Sequence, residues 1–330
     1  MRESCGRVRA GGAPSTTHST IVCYLAAPFL VPPTMTRLSN RDLLLLVALT
    51  LAWGLNWPVM KYGVRELPPL FFRALSIGGG LIALWAYARA TGISLAVAPG
   101  RWSTILKLAI PNAIVWHLLV IVALKMLPAG RSAILGYTMP VWVVVAGMLF
   151  FGERPSPRQA LGVAAALVGT LLLLSSELRA IAGSPLGTLL MLAAAAAWGY
   201  GTHLLRRQLR DMPTLALTFW MLAMTLAAMV LVSVLFERRD WRWPLAGEWA
   251  SIVYNMLLAV AFCHVAWSHL ARTLPPVASA LSVMMIPVLG VFSSVWMLGE
   301  QPLWQDYAAL ALILVAMATV LLAPGAPARG

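Results

Sequence analysis

Arg73 lies about one turn inside an apolar stretch that runs from Pro69 to Ala88. An ionisable residue within a membrane span faces a cavity or a partner as a rule, because lipid cannot solvate it. The planar guanidinium fork suits a carboxylate, which it grips through two parallel hydrogen bonds. The other reading is a side chain that snorkels to the membrane interface. Trp53, Asn56, Trp57 and Met60 recur at helical spacing and so share one helix face, and Pro58 removes a backbone hydrogen bond beside them. A polar, aromatic, bent face suits a substrate pathway; interfacial tryptophan with ordinary packing is the alternative. Trp198 and Thr202 form a similar pair later in the chain, where Gly199 and Gly201 allow close helix approach. His117 and His264 could relay protons near neutral pH, or serve as neutral groups bonded to neighbouring helices. His264, Trp267 and Ser268 share a face, and Tyr137 and Asn112 complete the polar candidates.

These residues do not form a catalytic set. The chain has no GxSxG, HExxH or Walker loop, and no pair of carboxylates falls inside one span. The acids Asp42, Glu66, Glu153, Asp211, Glu300 and Asp306 all fall at the ends of apolar stretches. A sodium site built on buried acids is therefore not supported, nor is use of ATP. Cys5, Cys23 and Cys263 show neither CxxC nor metal-ligand spacing, so no disulfide, metal or cofactor is expected. An enzyme is not expected. An intramembrane enzyme and a non-transporting membrane scaffold remain as alternative readings.

The elements that must position these side chains follow from composition. The chain is 60% hydrophobic and only 11% charged, whereas soluble domains carry about 25% charged residues. A helix that crosses the hydrocarbon needs roughly 20 apolar residues. Such stretches occur at about 43–62, 68–88, 104–124, 131–151, 157–175, 186–205, 213–236, 250–270, 275–298 and 304–323. Lipid leaves no partner for a free backbone N–H or C=O, so these spans must be helices. The fold class predicted is an all-α membrane protein of ten transmembrane helices. The net charge of +13 suggests nucleic acid, but the basic residues are scattered at span ends and form no separate cluster, which argues against it.

The chain repeats itself. Pro128, Pro140, Gly152-Glu153 and Pro155 recur 147 residues later as Pro275, Pro287, Gly299-Glu300 and Pro302. His117 falls on His264 at the same offset, and Trp53-Gly54 falls on Trp198-Gly199 at an offset of 145. Five spans per copy is an odd number, so the second copy enters the membrane from the opposite side. That predicts two inverted five-helix repeats, over 37–180 and 181–330, an arrangement common in secondary transporters. Arg73 has only Leu217 or Thr218 as its approximate counterpart; this loss of symmetry at a costly residue points towards function.

Trp53-Gly54 with Lys61, Pro68-Pro69 with Arg73, and Ala129-Gly130-Arg131 stand in this order in the first half, followed by Pro140 and Gly152-Glu153. Pro276, Pro287 and Gly299-Glu300 follow in the second. Over about residues 40–323 this pattern resembles the EamA-type drug/metabolite transporters. The resemblance implies a ten-helix carrier, often an exporter of amino acids or other metabolites. It leaves the substrate open, and His117 and His264 are not part of it. The function expected is secondary transport of a small amphipathic metabolite, such as an amino acid, by alternating access. Trp53, Asn56, Arg73, His117, Tyr137, Trp198, Thr202, His264 and Trp267 are the candidate pathway residues. The expected partners are a small-molecule substrate and the lipid bilayer, with protons and a second copy of the chain as open candidates.

Residues 1–36 hold Gly, Pro, Ser and Thr around one short apolar stretch, Ile21 to Val31, which Pro28 interrupts. The segment is expected to be disordered or to precede the true start at Met35; a signal peptide is the alternative. Lys and Arg are more numerous on the side that holds Arg37, Arg89, Arg154 and Arg206 than on the side that holds Lys61, Lys125 and Arg242. That bias predicts a multi-pass protein of the cell inner membrane with both termini in the cytoplasm. Reporter fusions at Arg37 and after Ala323 should both read cytoplasmic; opposite locations for the two ends would rule out an even number of spans.

Overall fold

The computed structural model describes residues 39–179, 183–208, 212–273 and 276–322. The predicted extension at 1–36, with Cys5 and Cys23, lies outside them. Among the described residues there is no strand, and ten helices are long and apolar enough to cross a membrane. They are α1 (Asn40–Gly63), α2 (Pro69–Thr91), α3 (Trp102–Met126), α4 (Ala129–Phe151), α5 (Pro157–Leu178), α6 (Pro185–Leu205), α7 (Thr214–Phe236), α8 (Ala246–Leu270), α9 (Ala280–Leu298) and α10 (Trp304–Leu321). The eighth begins earlier than its hydropathy suggests, because Glu248 turns back to accept from the Leu245 N–H at 2.7 Å. The outer surface is apolar: Leu44, Ile82, Leu149 and Leu235 are exposed, as are Trp85, Trp243 and Trp296. Aliphatic side chains of this kind meet lipid, and tryptophan favours the headgroup level.

The helices interlock in a scheme that survives exchange of the two sets of five. Contacts of α1 with α8 and α9 have counterparts in contacts of α6 with α3 and α4. The pairing of α2 with α8 is matched by that of α7 with α3, while α5 packs on α10. Small residues set the closest approaches. A Cβ on Gly54 would lie 2.5 Å from Leu289 Cβ on α9. Its counterpart Gly199 lies so near α4 that a Cβ would sit 2.6 Å from the Trp142 backbone carbon. Glycine here lets one backbone meet another.

Three spans are irregular. In α3 the residues Ile110–Val115 form a π-helical turn, and in α8 the residues Asn255–Phe262 do so. Such wide turns re-aim side chains and occur often at functional sites. In α4 the helix breaks at Tyr137 and Thr138 and restarts at Met139. Pro140, which has no N–H to give, stands just after the break. Its counterpart Pro287 lies inside a helix that runs through.

Carboxylates secure the helix ends. Gly152 and Gly299 both take φ +67° at the ends of α4 and α9, as expected of C-terminal caps. Glu300 does more than close that turn: it accepts from the Ala129 and Gly130 N–H groups at 2.6 and 3.1 Å, which caps α4. Glu237 accepts from Leu70 and Phe71 at 3.1 and 2.9 Å and so caps α2. Arg131 is 8% exposed and binds Asp306 through Nε and Nη2 at 2.7 and 3.0 Å. Its Nη1 reaches Glu177, which also accepts from the Ser184 N–H. The acids named from sequence at span ends do not include Glu177. Glu177 belongs to the last turn of α5 and is 5% exposed, and together with Asp306 it neutralises one arginine.

Two expected outcomes follow from this packing. Gly199→Ala should lower stability by about 1–3 kcal/mol, since a backbone cannot move aside as a side chain can. Gly78→Ala, whose new methyl would lie 3.8 Å from Leu226, should leave stability unchanged or raise it. Thermal unfolding of both variants in the same detergent checks the contrast. Arg131→Ala should cost about 3–5 kcal/mol, because it strands two buried carboxylates. Denaturant unfolding that matches the unsubstituted protein would show that the cluster contributes nothing.

Candidate functional site

Arg73 projects from α2 into the protein and is 6% exposed. Burial of this order rules out snorkelling. Its Nη2 donates to His117 Nδ1 on α3 at 2.7 Å. Its Nη1 lies 3.3 Å from Asn255 Oδ1 on α8 and 3.3 Å from Met60 Sδ on α1. Its Nε is buried and has no hydrogen-bond partner. None of these neighbours carries a negative charge. Among the described residues, carboxylates lie within ion-pair distance of Arg131, Arg242, His203 and His269, and none lies so near Arg73. A buried guanidinium with neutral partners and a free donor is a poor structural element, for a buried charge needs compensation to be stable.

The neighbours are held in fixed chemical states. An Nδ1 that accepts from a guanidinium cannot carry a proton, so the His117 hydrogen sits on Nε2. His264 Nδ1 is 2.7 Å from the Val260 carbonyl oxygen, which only accepts; here the hydrogen is on Nδ1 and Nε2 is an acceptor. The two rings thus offer opposite faces, one donor and one acceptor, and both lie within electrostatic range of Arg73. Both rings are partly buried. The ring of Trp53 meets His264 edge-on at 6.3 Å and lies 6.0 Å from Trp267. Its indole N–H donates to the Ala259 carbonyl at 3.3 Å, inside the π-helical turn of α8. Asn56 stands between Trp53 and Met60 on α1, and its Oδ1 is buried without a partner.

Of the residues singled out from sequence, Arg73 meets His117 across α2 and α3, and Trp53 meets His264 and Trp267 across α1 and α8; Asn56 lies buried on the same stretch of α1. Tyr137 joins them at one remove, edge-on to Trp57 at 6.3 Å beside the break in α4. Trp57 fills a slot between two glycines: a Cβ on Gly136 or Gly290 would lie 2.8 or 3.2 Å from its ring. Trp198 and Thr202 stand apart on α6, where the Thr202 hydroxyl donates to the Trp198 carbonyl at 2.9 Å. Asn112 packs against Gly201 of the same helix. Asn255 was overlooked, although a lone amide amid the apolar run from Ile252 to Phe262 is a signal of the same kind as Asn112. His203 was overlooked as well; it stacks on Phe151 at 4.7 Å and its Nε2 donates to the Val143 carbonyl at 2.8 Å.

A separate hollow of about 300 Å³ opens beside Arg131, lined by Pro128, Gly130, Val291, Glu300, Pro302 and Asp306. It is a feature of the helix ends. Each charged group on its wall is already engaged by the α4 cap or by the Arg131 cluster.

The sequence pattern of the EamA-like transporter family matches residues 40–175 and matches again over residues 185–322. The duplicate match coincides with the two sets of five helices. The transporter YoaV of Bacillus subtilis is 25% identical over 258 residues, which cover 78% of this chain and 88% of YoaV. A Salmonella typhimurium protein named a probable amino-acid metabolite efflux pump is 23% identical over 297 residues, covering 85% and 94% of the two chains. The inner membrane transporter YedA of Escherichia coli is 24% identical over 281 residues, covering 84% and 89%. A protein of known crystal structure superposes with a TM-score of 0.62 at 25% identity, over 86% of this chain and 97% of that one. Two family matches that together span nearly all of the ten-helix body lead to one conclusion: the chain is a multi-pass membrane protein that belongs to the EamA-like transporter family.

Proposed function

We propose that the protein is a secondary transporter, and in direction an exporter, of a small amphipathic metabolite that bears a carboxylate, as amino acids and related compounds do. The observation that carries this reading is the environment of Arg73: deep, fork-shaped, one donor unused and no carboxylate partner. An anionic substrate would supply the missing compensation through charge-assisted hydrogen bonds. Trp53, Trp267 and the two histidine rings would bury its apolar part, with Asn56 and Tyr137 as further contacts and Trp198 and Thr202 on the path through the second half. The name of the Salmonella relative favours export and a substrate of amino-acid chemistry. YedA, a relative described as an inner membrane transporter, favours the inner membrane.

The mechanism we infer is alternating access between two inverted repeats, divided as 37–180 and 181–330. The exchangeable pairing of the helices supports it, as does the duplicate family match. Two equivalent halves can trade conformations, so that a central site opens first to one side and then to the other. His117 and His264 are the candidates for proton exchange, and both termini lie in the cytoplasm in this reading.

Efflux from cells that make the protein, normalised to its abundance in the membrane, tests the assignment of Arg73. Arg73→Lys keeps the charge but loses the fork, and should weaken efflux of a carboxylate-bearing substrate. Arg73→Gln should weaken it about tenfold or more, the scale of a lost charge-assisted hydrogen bond. Abundance should change little in either variant. Efflux by Arg73→Gln at the rate of the unsubstituted protein would refute a role for Arg73 in binding.

A further inference from the structure

The charge around Arg73 bears on which carboxylates the site accepts. An amino acid brings two charges, and sites that hold one commonly set an acid against its ammonium. The described acids leave none for that task. Glu237 and Glu300 bind helix starts, Glu177 and Asp306 bind Arg131, Glu248 binds Arg242, and Asp42 lies 2.9 Å from His269. The remaining described acids are exposed. On the helices that meet at Arg73 two neutral acceptors stand out: Asn56 Oδ1 on α1, unpartnered and one turn from Met60, and Nε2 of His264 on α8, whose Nδ1 is the atom that faces the Val260 carbonyl.

We propose that the Arg73 site selects a substrate of net negative charge: a carboxylate on an apolar body that carries a neutral donor, such as a hydroxyl, where an amino acid carries its ammonium. This rests on the assignment of the substrate carboxylate to Arg73. A net anion neutralises the buried guanidinium. A zwitterion neutralises it too but brings in a second cation, which loses its hydration and meets no counter-charge. A hydroxyl in that position needs only an acceptor, and an amide oxygen or a neutral imidazole nitrogen provides one. Specificity of this kind comes from the groups that a site lacks as much as from those it has.

The test uses three matched probe series on the purified full-length protein in detergent: phenylalanine, leucine and tryptophan, their 2-hydroxy acid analogues, and their amides. The members of each set share a side chain and differ in net charge. Thermal stabilisation against probe concentration gives the apparent Kd. The expected result is that at least one 2-hydroxy acid binds about tenfold or more tightly than its amino acid, that the amides fail to bind, and that Arg73→Gln abolishes binding while the variant still elutes as a folded monodisperse species. Arg73→Lys serves as a second variant, expected to weaken binding and to keep the order of the series. Amino acids that bind as tightly as the hydroxy acids, and lose binding in Arg73→Gln, would overturn charge selection and leave the carboxylate assignment standing. Amides that bind, or hydroxy acids that bind Arg73→Gln unchanged, would overturn both. A series in which no 2-hydroxy acid binds would overturn charge selection.

Discussion

In hydrocarbon, a backbone N–H that leaves the helical ladder has no water to accept it. The first N–H groups of every helix are in that position. Here Glu237 and Glu300 reach across from other helices to meet the starts of α2 and α4, while Glu248 and Asp306 turn back onto the starts of their own helices. The same demand sets where negative charge can be in this protein. With 11 acids in 330 residues, most of those described are held at the ends of the helices, and Arg73 is left among an amide, an imidazole and a thioether. The electrostatics around Arg73 is thus a by-product of how the helix ends are satisfied.

The interplay of symmetry and its loss runs through the whole molecule. Packing is duplicated: Gly54 against α9 answers Gly199 against α4, and α2 on α8 answers α7 on α3. Chemistry is not. Arg73 answers to Leu217 or Thr218, and the break in α4 at Tyr137 answers to a continuous α9. His117 and His264 occupy matched positions and still hold opposite tautomers, because one accepts from Arg73 and the other donates to its own helix. Packing must close around both halves alike, whereas polar groups need not repeat.

How much of this was legible in the sequence depends on the range of the force involved. The ten spans were, because twenty apolar residues in a row announce a crossing whatever the neighbours are. The duplication was, through prolines and glycines that act on the local backbone. The π-helical turn of α3 has a local mark in Pro111, but that of α8 has none, and its position depends on how α8 meets α2. Arg73 could be named from its cost alone. Its partners could not: Asn255 lies 182 residues away in sequence, and its Nδ2 bond to the Ser251 carbonyl of its own helix is all that local sequence could suggest. Glu177 could not be paired with Arg131 from sequence either, since 46 residues separate them.

The Trp57 ring has a mechanical consequence. It is wedged where Gly136 and Gly290 leave space for nothing larger, so α1 cannot turn about its own axis without driving indole into a neighbouring backbone. That couples α1 to the broken part of α4 and to α9 as if by a key in a slot. A rotation of α1 would therefore press on both neighbours at once, whereas the wide turns of α3 and α8 lie outside this contact, with His117 two residues beyond the first and Asn255 at the start of the second.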